Sequence, residues 1–183
     1  EFIAQTPLEP RDSSRLLVLE RQTGQITHTV FRQIGQFLDP GDLLVVNETR
    51  VIPARLFALK ADSGGRVELL LLKRVDLLTW EALAGGKGLR AGRKLLLEAQ
   101  SGEGALPDGE ITAVLDGPRR LVRFSEPIEP YLGRLGHVPL PPYIHTALAD
   151  PERYQTVYAN QPGSAAAPTA GLHFTPGLLS RLQ

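Results

Sequence analysis

The sequence is 183 residues long, enough for one large domain or two small ones, and its 42% hydrophobic and 22% charged residues are those of a folded globular chain rather than a disordered or fibrous one. Its 20 basic and 20 acidic residues cancel, which removes bulk charge as a reason to bind a polyanion; the absence of cysteine removes disulfides and thiolate metal sites and is compatible with a reducing cytoplasm. No apolar run has the length of a membrane span, no secretory signal opens the chain, and no methionine is present, so the expectation is a cytoplasmic protein of which this is a piece.

Arg15–Phe31 predicts a hairpin: RLLVLE and QITHTVF flank Gly24, and the second run is rich in β-branched residues. Phe31–Asp39 predicts a short helix, with Phe31, Ile34, Phe37 and Leu38 on one face and Pro40–Gly41 as its stop. The run LLVV that follows Asp42 predicts a strand buried on both faces, with Asn47, Glu48, Thr49 and Arg50 emerging together at its end. From Gly64 to about His137 short strand-like runs alternate with turn residues, the texture of a small all-β sheet or barrel. Within it GGKGLRAGRK carries Lys87, Arg90, Arg93 and Lys94 without an acidic residue, and Arg119, Arg120 and Arg123 follow. These groups suit phosphates; a solvated hairpin tip is the alternative. Beyond a proline-rich stretch, PERYQTVYAN predicts a helix with Pro151 near its start, and TPGLLSRLQ predicts another with Thr175 as cap and Pro176 just inside. The fold class expected is an α/β (mixed α+β) domain, residues 1–60 and 138–183, with a small all-β, barrel-like domain inserted at 61–137.

Three motifs carry candidate chemistry. In VNETRVIPAR, Asn47 and Thr49 offer hydrogen bonds to a neutral ligand and Arg50 or Arg55 a bidentate grip on a carboxylate or phosphate; a strand-to-loop junction with a capping Asn and solvated arginines explains the same residues. In AAAPTAGLHF, small residues around Pro168 and Gly171 permit close approach to the backbone, while Thr169 and His173 add a hydroxyl and an imidazole; a tight turn with a partly buried histidine is the plain reading. In RYQTVYA, Tyr154 and Tyr158 stand four apart on a predicted helical face with Gln155 and Thr156 beside them, placed for core packing or for stacking on a base. His28, His137, His145 and His173 are scattered without metal-ligand spacing, and no GxGxxG, P-loop or nucleophile-elbow pattern occurs, so no metal site, dinucleotide fold or hydrolase is expected.

Four stretches, Ile3–Leu19, Gly41–Leu56, Gly136–Ile144 and Arg153–Thr175, together resemble the S-adenosylmethionine:tRNA ribosyltransferase-isomerase family of queuosine biosynthesis, in the family's order. Glu48 stands where many relatives carry aspartate, and the family's pattern continues past the LHFT region, so the resemblance is to its N-terminal part, with the active site expected to be incomplete here. It implies the β-rich insertion in an α/β domain. It also implies a reaction: the ribosyl moiety of S-adenosylmethionine, a co-substrate rather than a cofactor, is transferred to and isomerised on the 7-aminomethyl-7-deazaguanine at the tRNA wobble position, giving epoxyqueuosine-tRNA with release of adenine and methionine. No metal and no membrane enter that scheme. On the same footing His173 is expected as an acid or base, and Asn47, Thr49 and Arg50 as residues positioning S-adenosylmethionine or the deazaguanine, with Arg50 toward the methionine carboxylate. Arg55, Tyr154, Gln155, Tyr158, Thr169 and Gly171 are expected to bind substrate, and Lys87, Arg90, Arg93 and Lys94 to meet tRNA. The rival readings are a non-catalytic RNA-binding β-barrel module and an inactive truncated fragment.

Overall fold

A computed structural model describes residues 3–102, 104–146 and 148–183. The chain divides into two units: one comprises Glu1–Arg50, Pro141–Gln161 and Ala167–Gln183, the other Val51–Leu140 and Pro162–Ala166.

The second unit is a closed barrel. Its strands are β4 (Arg55–Lys60), β5 (Arg66–Arg74), β6 (Thr79–Gly85), β7 (Arg93–Leu97), β8 (Asp108–Val114) and β9 (Arg119–Phe124), joined antiparallel around the ring as β4-β5-β6-β9-β8-β7 and back to β4. Alternation along the strands makes this possible: Val67, Leu69 and Leu71 of β5 are buried while Arg66 and Glu68 are exposed. Leu56, Ala58, Trp80, Ala82, Leu95, Ile111, Val122 and Phe124 complete the interior from the other strands. Bulges between Leu71 and Lys73 and between Ile111 and Ala113 bend the sheet toward closure. The short helix α1 (Leu132–Leu135) packs Leu132 and Leu135 into the same core. Gly136 follows α1 so closely against the backbone that a Cβ there would collide with the carbonyl of Pro53.

The first unit is built from a hairpin, short 3-10 turns and one terminal helix. Strands β1 (Arg15–Leu19) and β2 (Ile26–Val30) pair from Arg15↔Val30 to Leu19↔Ile26, closed by Gly24 at φ 72 whose amide donates to Glu20 O at 2.8 Å. Phe31–Phe37 is a 3-10 helix, not an α-helix, and within it only Phe31 is buried. Helix α2 (Pro176–Leu182) begins as its sequence dictates: Thr175 Oγ1 accepts from Leu178 N at 3.1 Å and Pro176 occupies the first turn. Phe31, Phe174 and Leu178 form this unit's core, with Leu16, Ile34, Tyr158, Leu179 and Leu182 packed partly against it. The remaining strands are β3 (Thr49–Val51) and β10 (Gln161–Ser164).

Two sequence expectations fail in the first unit. The LLVV run is not a buried strand: Leu43 and Val45 are 87% and 82% exposed, and no strand among the described residues pairs with it. Residues 151–160 are not a helix. A 3-10 turn, Pro151–Tyr154, starts on the Asp150 side chain, which accepts from Glu152 N at 2.9 Å; it ends at Gln155, whose φ of −117° and ψ of 146° return the chain to extended geometry. Tyr154 and Tyr158 therefore do not share a helical face. The expected fold class is met in part: the barrel-like all-β portion is a closed six-stranded barrel, whereas the molecule as a whole is mostly β, with two short α-helices among the described residues.

Candidate functional site

The first unit gathers several of the sequence-selected residues around one turn. Thr169–His173 is a 3-10 helix that follows Pro168 and ends at Phe174. Gly171 lies at its centre, buried, and a Cβ there would collide with the Tyr158 hydroxyl and meet Thr156 Cγ2 at 3.0 Å. Thus the loop 155–160 and the turn approach to a distance that only glycine allows. His173 presents Nδ1 to Ser14 Oγ at 2.6 Å, and its ring lies 5.2 Å from the ring of Phe31. Phe31 in turn meets Phe174 edge-on at 5.0 Å, so the imidazole is half-buried at the margin of the unit's core.

The segment Arg11–Ser14 ties this turn to the others. The Arg11 guanidinium donates to the carbonyls of Gln155 at 2.5 Å and Glu152 at 3.0 Å; Asp12 accepts from Thr175 Oγ1 at 3.4 Å; Ser14 meets His173. Burial, then the nearby Arg153 charge, lowers the pKa of Arg11 from its ordinary value. Burial also raises the phenols of Tyr154 and Tyr158, and at Tyr154 a backbone hydrogen bond from Ala167 opposes the rise. Gln155 and Thr156 are buried beside them, and Thr156 Oγ1 has no hydrogen-bond partner among the described residues. An unfilled hydroxyl at that depth is uncommon in a finished core.

The other selected residues are placed differently. Asn47 uses its Oδ1 on its own loop, accepting from Thr49 N at 2.8 Å and Thr49 Oγ1 at 2.7 Å, while Glu48 O accepts from Asn160 N and Gln161 N. Arg50 is ion-paired with Glu152. Thr169 is exposed. Arg55 belongs to the barrel unit, where it pairs with Glu68 at 3.1 Å and donates to Leu140 O at 3.3 Å. Lys87 and Arg90 stand exposed in the β6–β7 connection and Lys94 on β7, whereas Arg93 is ion-paired with Asp62, whose carboxyl it holds below the usual range. A groove of about 670 Å³ in the first unit is lined by the apolar Leu38, Leu44 and Leu182 and by the charged Asp39, Asp42 and Arg181 among others, and of the residues singled out in the sequence Tyr158 lies on it.

Sequence reading missed Arg11, Asp12 and Ser14 as partners of the turn. Their signal was present as the run PRDSS, which concentrates a cation, an anion and two hydroxyls before a strand. What it lacked was any hint that the contacts lie 141 to 163 residues away.

The sequence model of the family described as queuosine biosynthesis protein matches residues 1–183, the whole chain. The chain is 56% identical over 186 residues to the S-adenosylmethionine:tRNA ribosyltransferase-isomerase of Carboxydothermus hydrogenoformans, covering 100% of this chain and 53% of that protein. To the protein of the same name from Dehalococcoides mccartyi strain CBDB1 it is 52% identical, covering 100% and 52%. A crystal structure of S-adenosylmethionine tRNA ribosyltransferase from Thermotoga maritima is 31% identical, with a TM-score of 0.41, over 98% of this chain and 50% of that one. The chain belongs to the S-adenosylmethionine:tRNA ribosyltransferase-isomerase family of queuosine biosynthesis proteins. It spans about half the length of the curated relatives it matches.

Proposed function

We propose that this chain supplies substrate-binding and proton-transfer groups of an enzyme that transfers and isomerises the ribosyl moiety of S-adenosylmethionine on tRNA. The acceptor is the 7-aminomethyl-7-deazaguanine at the wobble position, and the products are epoxyqueuosine-tRNA, adenine and methionine. S-Adenosylmethionine is consumed as a co-substrate. The observation that carries the reading is the His173 turn: an imidazole at the margin of a core, held by a hydroxyl and an aromatic ring, in a loop that glycine brings against Tyr158 and Thr156.

The chemistry asks for such a group. The sulfonium of S-adenosylmethionine acidifies the adjacent ribose C5′–H, and a base must remove that proton before the new carbon–nitrogen bond forms; an acid must then assist departure of adenine. We assign His173 the proton-transfer role. We assign Arg50 to the methionine carboxylate, for which it would exchange its Glu152 partner. Asn47 and Thr49 hold the loop from which Arg50 emerges. Lys87, Arg90 and Lys94 are the exposed cations offered to tRNA phosphates.

The test uses a full-length family member in which these 183 residues replace the matched region, incubated with labelled S-adenosylmethionine and tRNA bearing the deazaguanine. Adenine release with modified tRNA is expected. In the same protein His173→Gln is expected to lower kcat by roughly 10²- to 10⁴-fold, the usual weight of a positioned acid or base. An unchanged rate removes His173 from the mechanism. Lys87→Glu with Arg90→Glu is expected to weaken tRNA binding and to reduce its salt slope by about one per lost phosphate contact; a wild-type slope assigns that loop to solvent.

A further inference from the structure

We propose that Ser14 is a positioning residue that holds the His173 imidazole as its Nδ1–H tautomer and so leaves Nε2 as the ring's proton acceptor. The inference deepens the reading of His173 as the proton-transfer group and rests on it.

The Ser14 hydroxyl makes two short contacts, 2.7 Å to the backbone carbonyl of Arg11 and 2.6 Å to His173 Nδ1. A carbonyl oxygen carries no proton, so the single Ser14 proton has to occupy the contact with Arg11. Turned instead toward the ring, it would leave the lone pairs of Ser14 Oγ and Arg11 O facing each other at 2.7 Å. Ser14 Oγ is therefore an acceptor toward the imidazole, and Nδ1 is the donor. A neutral imidazole has one N–H, which places its basic lone pair on Nε2.

The surrounding contacts keep this polarity in place. The Arg11 carbonyl belongs to the 3-10 turn Arg11–Ser13, which is held through the Arg11 guanidinium on Gln155 O and Glu152 O and through Asp12 on Thr175. Those bonds anchor the turn that presents the carbonyl to Ser14. On the histidine side, the Phe31 ring 5.2 Å from the imidazole and the chain continuing into buried Phe174 limit rotation of the ring. The same hydrogen bond also serves both protonation states. When Nε2 accepts a proton from a substrate carbon, the C–H bond breaks, the N–H bond forms and the ring becomes an imidazolium whose Nδ1–H still donates to Ser14. Neither a ring flip nor a hydroxyl rotation is needed between taking the proton and releasing it.

The experiment is nitrogen-15 NMR of the 183-residue chain labelled at histidine, read in alkaline solution where imidazole is neutral, with the His173 signals assigned by their loss in His173→Gln. The expected result is a protonated Nδ1 and an unprotonated Nε2 at His173. Ser14→Ala is expected to move that ring toward the Nε2–H form that free histidine favours, and Ser14→Thr, which keeps the hydroxyl, to preserve the Nδ1–H form. Where the alanine variant does not fold, Ser14→Cys keeps the volume but offers only a weak acceptor, and it is expected to shift the tautomer in the same direction. An Nε2–H signal in the unsubstituted chain overturns the inference, and so does a tautomer indifferent to Ser14. In the full-length protein Ser14→Ala is expected to lower kcat about tenfold with little change in KM, the scale of one hydrogen bond. Should the tautomer be as stated while His173→Gln keeps full activity, the positioning stands and the catalytic reading of His173 falls.

Discussion

Gly171 and Tyr158 show at single-residue resolution why the His173 turn tolerates so little. Gly171→Ala sets a methyl group against the Tyr158 hydroxyl, and a cost of about 1–3 kcal/mol is expected from the overpacking. Tyr158→Phe removes the colliding oxygen and is expected to recover part of that loss, a coupling measurable as a double-mutant cycle in urea. Recovery stays partial because Thr156 Cγ2 still faces the added methyl at 3.0 Å. Glu152→Gln makes the opposite kind of change at Arg50. It frees the guanidinium from its carboxylate partner, so a lower KM for S-adenosylmethionine is expected, against a higher KM for Arg50→Ala. The buried tyrosines give a pH dependence. Their folded-state pKa values are raised, so the native state holds these protons more tightly than the unfolded chain, whose tyrosines titrate near about 10. Stability from this source is whole below that value and is lost as pH rises toward the folded-state values. The urea midpoint of the first unit is expected to fall in that alkaline window, and less steeply in Tyr154→Phe. His173 stood out in the sequence as the histidine within a small-residue motif, whereas Ser14 did not, because the contact that gives Ser14 meaning spans 159 residues.

Among the elements, those with local causes were legible. Alternating burial wrote the strands of the barrel, Gly24 marked the hairpin turn, and Thr175 with Pro176 marked the start of α2. Thr175→Ala is expected to cost about 1 kcal/mol through loss of the cap on Leu178 N. The cost is read as a lower urea midpoint of the first unit. Leu69→Ala, inside the barrel and fully buried, is expected to cost about 2–5 kcal/mol and to be read on the second unit's transition. The elements that were misread depend on distant partners. PERYQTVYAN has helical spacing, but burial of Tyr154, Gln155 and Thr156 in succession and the Arg11 bonds to the carbonyls of Glu152 and Gln155 favour an extended exit after one turn. LLVV has the composition of an interior strand, yet a strand needs neighbours for its backbone groups and cover for both faces, and the described residues offer neither.

At the scale of the molecule the two units differ in how completely they are enclosed. The barrel closes its sheet, leaves no free edge and buries a continuous aliphatic and aromatic interior. The first unit centres on Phe31, Phe174 and Leu178, and leaves Leu17, Leu19 and Ile26 of its hairpin exposed together with Leu43 and Val45. Hydrogen exchange on the 183-residue chain is expected to show slow amides in β4, β5, β6 and β9 and fast ones at residues 43–46. A single uniform protection level across both units would contradict this division of stability. By itself the sequence determined the family, the barrel texture of the middle and the capped helix at the end, because those rest on composition, period-two burial and near-neighbour hydrogen bonds. Only the tertiary structure decided which side chains meet at the His173 turn and that LLVV is not covered by the described residues. Those outcomes depend on contacts between segments far apart in sequence, and local propensity carries no record of them.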